Sequence, residues 1–133
     1  QYVNRLHFYE PIIMSPAPTH EQQTSKTAML GIALDSWVER KGYCEEDTTA
    51  DIAMEMNVSV EQLRKFIKNT YGEDFRTWRT MLRIKEACRM IDESPEMSMA
   101  QIGEAVGIPN RGNFHQYFKR FAGKSPTEYR EGY

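Results

Sequence analysis

The strongest constraint on this chain of 133 residues is an internal repeat. Ile52, Met56 and Val58 return as Ile102, Val106 and Ile108 at an offset of 50, and Leu63, Ile67, Lys68 and Gly72 return as Phe114, Phe118, Lys119 and Gly123 at an offset of 51. The second copy therefore carries one extra residue in its middle. Apolar residues that recur in this way fix which faces of successive elements are buried, so each copy reads as one supersecondary unit.

The local signals within each copy are helical. Ser59-Val60-Glu61-Gln62 has the form of a capping box, in which serine and glutamine satisfy each other's free backbone donors, and it opens a helix at Val60. Leu63, Phe66 and Ile67 form that helix's core face and Gly72 stops it. Before it, Thr48 caps a helix that buries Ile52, Ala53 and Met56, and Asn57-Val58-Ser59 is the turn between the two. A helix, a turn of about three residues and a second helix make a helix-turn-helix, whose second helix can enter a major groove. In the later copy Ser98-Met99-Ala100-Gln101 is again a capping box. Ile102, Ala105 and Val106 are expected inward, Gly107 ends the helix, and a new one begins near Asn110 with Phe114, Phe118 and Phe121 inward. Gly112 falls inside that helix, where glycine costs about 1 kcal/mol relative to alanine. Ser125-Pro126 opens a short last helix through Tyr129.

Between the copies, residues 75–92 read as one helix with Phe75, Trp78, Leu82, Cys88 and Ile91 apolar, closed at Ser94-Pro95. At 1.5 Å per residue it is about 27 Å long, which would set the two second helices not far from one duplex turn, roughly 34 Å, apart. Upstream, Leu30, Leu34, Trp37 and Val38 mark an amphipathic helix from Thr27 to about Lys41, stopped by Gly42. The expected organisation is all-α, about seven helices: a linker or tail over 1–26, then a tandem domain over 27–133. That domain divides into a first unit (27–74), a linker helix (75–94) and a second unit (95–133). The chain opens at Gln1 rather than Met, which leads us to expect a fragment of a longer protein.

The net charge of −2 hides an alternation. Residues 1–55 carry four basic and nine acidic side chains, 56–91 eight and four, 92–109 none and four, and 110–127 four and none. Exposed charges farther apart than roughly 8 to 10 Å are largely screened, so the two basic blocks count for more than the total. The acidic stretches 45–55 and 92–104 would point away from any polyanion and stay free for a protein partner. Cys44 and Cys88 stand apart from any metal-ligand spacing, and His7, His20 and His115 sit in no catalytic arrangement, so neither a cofactor nor an enzyme site is expected. No apolar run approaches the roughly eighteen residues that cross a bilayer.

Ile102-Gly103, Val106-Gly107-Ile108, Phe114, Phe118-Lys119-Arg120, Gly123, Ser125-Pro126 and Tyr129-Arg130, with Leu82-Arg83 and Ala87 upstream, resemble the signature of the arabinose-regulator (AraC/XylS) family over about residues 48–130. Gly103 replaces that family's usual alanine, Ile108 its phenylalanine, and Ile67 the phenylalanine of the first unit. The resemblance implies a bacterial, cytoplasmic transcription regulator with two DNA-reading helices. It also implies RNA polymerase as a partner and a sensor or dimerisation domain elsewhere in the full-length protein, through which membrane anchoring stays open.

On the helix after Ser59 the outward face shows Glu61, Gln62, Arg64, Lys65 and Lys68; on the helix after Asn110 it shows Arg111, Asn113, His115, Gln116 and Lys119. Arg and Lys suit guanine, Gln and Asn adenine, and Glu can accept from cytosine N4. The resemblance assigns base reading to Glu61, Arg64 and Lys65 and to Arg111, Asn113 and Gln116, and Gln62 is a further candidate. Ser59, Lys68, His115, Lys119 and Arg120 are the candidates for phosphate. Arg76, Arg79, Arg83, Lys85 and Arg89 spread around the linker helix, so they cannot all face DNA, and most are expected to be solvent charges or partners of nearby carboxylates. A plain solvated helix would also be charged in these places, and two rivals stay open: a helical protein-interaction module that no longer binds DNA, and a fragment of a DNA-modifying enzyme.

Overall fold

The structure, a computed structural model, describes residues 20–132, and these are all-α: seven α-helices and one short 3-10 turn. In chain order the helices are α1 (His20–Glu39), α2 (Thr49–Glu55), α3 (Val60–Tyr71), α4 (Phe75–Glu93), α5 (Met99–Ala105), α6 (Arg111–Ala122) and α7 (Pro126–Glu131), with the 3-10 turn over Gly42–Cys44. Contacts group the described residues into two compact units, 20–40 with 47–74, and 41–46 with 75–132.

In the first unit α1 buries Leu30, Leu34 and Trp37, α2 buries Ile52 and Ala53, and α3 buries Leu63, Phe66 and Ile67. α2 and α3 pack on each other. Both start from capping boxes: Thr48 with Asp51 for α2, and Ser59 with Gln62 for α3. Met56, expected inward, is only half-buried because it is already the C-cap of α2. The turn is made by Asn57 at φ 63 and closed by the Val58 N–H donating to the Ala53 carbonyl at 3.0 Å. α1 begins at His20 rather than Thr27. Residues 20–26 lack apolar periodicity, yet Glu, Gln and Lys are good helix formers; the rest of the reading of 1–26 as a tail lies outside the described residues. The helix also ends earlier than expected. Lys41, not Gly42, takes the left-handed conformation (φ 61), and Gly42 opens the 3-10 turn.

The second unit is built around α4. Ile84, Ala87 and Ile91 of α4 form one core with Ile102, Val106, Ile108, Phe114 and Phe118. Leu82 and Cys88, apolar positions of the same helix, are half-buried at the edge of the stripe that Ile84 and Ala87 form. Ala105 is exposed, since Ile102 and Val106 alone occupy the inward face of the seven-residue α5. A Ser98–Gln101 capping box starts α5, and Ser125 with Glu128 does the same for α7.

Arg76 and Lys85 of α4 are exposed, as expected of most of its basic side chains, but two arginines take partners of another kind. Arg79 and Arg83 bind backbone carbonyls. Both donate to Tyr43 O and Glu45 O, and the Arg83 Nη1 also donates to Gly107 O at 3.2 Å. Burial lowers the Arg83 pKa from its ordinary value, the expected cost of drawing a guanidinium onto a protein surface. Arg89 does pair with carboxylates: it reaches both oxygens of the buried Glu86, at 2.9 and 2.6 Å, and Glu93 at 2.6 Å. Lys41 adds a second cation 3.2 Å from Glu86.

Candidate nucleic-acid interface

α3 and α6 have the same internal plan. The cap is Ser59 in one and Asn110 in the other, and each side chain accepts from the backbone N–H three residues on: Gln62 N at 3.0 Å and Asn113 N at 2.9 Å. Each helix has twelve residues, and each closes on a glycine in the left-handed region, Gly72 at φ 82 and Gly123 at φ 84. Leu63 and Ile67 in α3 and Phe114 and Phe118 in α6 hold equivalent buried positions. With these buried positions and both ends in the same register, the outward residues correspond one to one.

On α3 the outward stripe is Glu61, Arg64, Lys65 and Lys68, at spacings i, i+3, i+4 and i+7, all exposed. Gln62 and Ser59 are exposed as well, but the Gln62 Oε1 accepts from Ser59 N at 2.8 Å. The bidentate grip on adenine needs an amide's oxygen and nitrogen together, so the capping bond leaves Gln62 its amide nitrogen alone. On α6 the equivalent stripe is Gly112, His115, Gln116 and Lys119, with Arg111 and Asn113 flanking its first turn and Arg120 beside its last. All of these are exposed. The Arg120 guanidinium lies 5.0 Å from the Phe121 ring centroid, a cation–π contact that holds the side chain along the helix while its outer edge stays in solvent. Gly112 is the second residue of α6 and not in its interior, so the full interior-glycine cost expected from the sequence does not apply.

Each stripe belongs to a different unit. That of α3 carries three cations and one carboxylate, and α6 carries Arg111, Lys119 and Arg120 with no acid. Charged forks and amides projected from a helix of this diameter are suited to base edges in a major groove, and the lysines at the far ends to phosphates. Sequence reasoning missed Asn110 as the cap that orients α6 and the Arg83 bond to Gly107 O in the turn before it. Asparagine before a basic helix is a readable cap signal. The Arg83 contact has no signal, because its acceptors are carbonyls that every residue carries. Among the described residues no group of three His, Cys, Asp or Glu side chains is placed to hold a metal ion, and no helix is long and apolar enough to cross a membrane.

A model of the helix-turn-helix domain family matches residues 52–132. The chain is 30% identical over 81 residues to the Msm operon regulatory protein of Streptococcus mutans, which covers 61% of this chain and 29% of that protein. It is 29% identical over 83 residues to the arabinose operon regulatory protein of Escherichia coli K12, covering 62% of this chain and 28% of that one. The match thus spans under a third of the length of these curated relatives. Among solved structures, the C-terminal domain of AraT, a response regulator from Geobacillus stearothermophilus, superposes with a TM-score of 0.69 at 26% identity, covering 79% of this chain and 85% of that one. A DNA-binding transcriptional dual regulator from Escherichia coli K-12 shares the fold, with a TM-score of 0.62 at 20% identity over 90% of this chain and 96% of that one.

Proposed function

This chain belongs to the helix-turn-helix family of the arabinose-regulator (AraC/XylS) type, a family of DNA-binding transcription regulators, and on that premise we propose that it binds double-stranded DNA sequence-specifically through α3 and α6, set in successive major grooves. The observation that carries the reading is the shared plan of the two helices: a side-chain cap on the backbone N–H three residues on, equivalent buried positions, a left-handed glycine stop and an exposed polar stripe in the same register that ends in a lysine, Lys68 or Lys119. Glu61, Arg64 and Lys65 read bases from α3, and Arg111, Asn113 and Gln116 from α6. Ser59, Lys68, His115, Lys119 and Arg120 meet phosphates, and Gln62 contributes its amide nitrogen beside the capping bond. Occupation of such a site near a promoter would regulate transcription through contact with RNA polymerase or by occlusion, with no chemistry performed on the DNA.

The test is selection of bound duplexes from a random pool at two salt concentrations. A site of two short blocks about one helical turn apart, with affinity falling steeply as salt rises, is the expected result. Failure to enrich any sequence, with binding insensitive to salt, would overturn the proposal in favour of a protein-interaction module. Within the selected site, Arg64→Ala should relax base choice in one block. Lys119→Ala should weaken all sequences alike and flatten the salt slope by about one unit.

A further inference from the structure

The glycines of the second unit raise a question that only one of them leaves unanswered. Gly107, Gly123 and Gly132 stand at φ 88, 84 and 87, where side chains are strained, and a Cβ on Gly103 would lie 2.8 Å from the Ile108 carbonyl. Gly112 has no such reason. Its backbone is ordinary helix, and a Cβ built there would meet nothing closer than Asn110 Oδ1 at 3.4 Å. A residue that gives up helix propensity with no return inside the protein points to something outside it, and close approach of a ligand is what a missing side chain permits.

The register identifies where that approach occurs. Gly112 and Glu61 are each the second residue after the cap of their helix and lead the outward stripe. Where the first unit presents a carboxylate, the second presents an opening. That opening belongs to a recess of about 360 Å³ whose lining includes the apolar Ile108, Pro109 and Phe114, with Arg111 and His115 at its polar side. Carbon-lined walls offer nothing to a base's hydrogen-bonding edge. They do suit the one apolar group that the major groove displays, the thymine 5-methyl.

We infer that Gly112 makes the second unit a reader of thymine by its methyl group, which enters the recess over Ile108, Pro109 and Phe114. This rests on the DNA-binding reading above and adds to it a base preference set by shape at a position with no side chain. A side chain at position 112 would stand at the lip of the recess that Gly112 helps to line. Arg111 and His115, which also line the recess, hold the neighbouring bases and backbone.

The experiment uses the 133-residue chain and a duplex enriched from the random pool. Each thymine of the block read by the second unit is replaced in turn by deoxyuridine, which keeps every hydrogen-bonding group and lacks only the methyl. At one position affinity should fall about fourfold, the amount that burial of one methyl-sized group is worth. The Gly112→Ala variant, whose added methyl faces only Asn110 Oδ1 at 3.4 Å and leaves the fold intact, should bind the thymine duplex more weakly and no longer distinguish it from the deoxyuridine one. An enriched site whose second block contains no thymine, or is indifferent to deoxyuridine at every position, overturns this inference and leaves the DNA reading standing. So does a Gly112→Ala variant that retains the wild-type discrimination. A pool that yields no enriched site overturns both.

Discussion

Arg83 is the side chain whose removal tests the account of the second unit most severely. Its guanidinium donates to Tyr43 O, Glu45 O and Gly107 O, so it ties the 3-10 turn to the turn that precedes α6. Hydrogen bonds from a charged donor contribute about 1.5–3 kcal/mol each, and only the part-buried bonds to Tyr43 O and Gly107 O are shielded from replacement by water. Two such bonds, less the desolvation that the arginine no longer bears, give an expected loss of about 2–4 kcal/mol for Arg83→Ala. Arg83→Lys should recover about half, since a single ammonium cannot span carbonyls that a planar fork reaches together. Urea unfolding followed by far-ultraviolet circular dichroism at neutral pH measures both. A loss under about 0.5 kcal/mol for alanine, or a lysine variant equal to the wild type, would refute the claim that these carbonyl contacts hold the turn.

Three further outcomes follow from the same geometry. Gly103→Ala places a methyl 2.8 Å from the Ile108 carbonyl and should destabilise by about 1 kcal/mol after its helix-propensity gain, whereas Gly112→Ala should stabilise by about 0.5 kcal/mol; thermal denaturation that ranks the two the other way contradicts the packing described. Ser59→Ala removes the cap of α3 and should cost about 1 kcal/mol, read as a lower urea midpoint, with no change if the capping box is dispensable. The bond from Arg89, with that from Lys41, keeps Glu86 ionised below its ordinary value of 4.5, so the folded state binds fewer protons than the unfolded one in that range. The contribution of Glu86 is therefore fully present above its ordinary value of 4.5 and is lost as pH falls through the lowered folded value; Glu86→Gln should flatten that acid limb, and an unchanged limb would show that Glu86 does not shape it.

The parts of this protein legible in its sequence are those written over short range. The capping boxes at Ser59–Gln62 and Ser98–Gln101 join residues three apart, and the inward positions Leu63, Ile67, Phe114 and Phe118 follow from helical spacing, so all of them were readable. The repeat then supplied the all-α class and the two candidate faces. Reading failed where no local pattern exists. The first seven residues of α1 carry no apolar period, and nothing local singles out Ile84 and Ala87 as the buried stripe of α4, because packing against α5 and α6 sets that helix's rotation.

By itself, then, the sequence determined the helices, their caps, the duplication and the outward faces, because each depends on backbone donors and side chains within about one turn of each other. Only the tertiary structure decided what the interchangeable parts of the two copies are for. Asn57 suffices at the first turn, while at the second Gly107 lies under Arg83, with a Cβ position 2.8 Å from Cys44 O and 3.0 Å from the guanidinium carbon, so no side chain fits there. Ala53 closes its turn at 3.0 Å, but the same bond from Ile108 N to Gly103 O is 2.7 Å and leaves no room for a methyl. Those demands come from groups tens of residues away in the chain. Gly112 meets no such demand, and this contrast, invisible in a one-letter sequence, is what directs attention to the groove outside it.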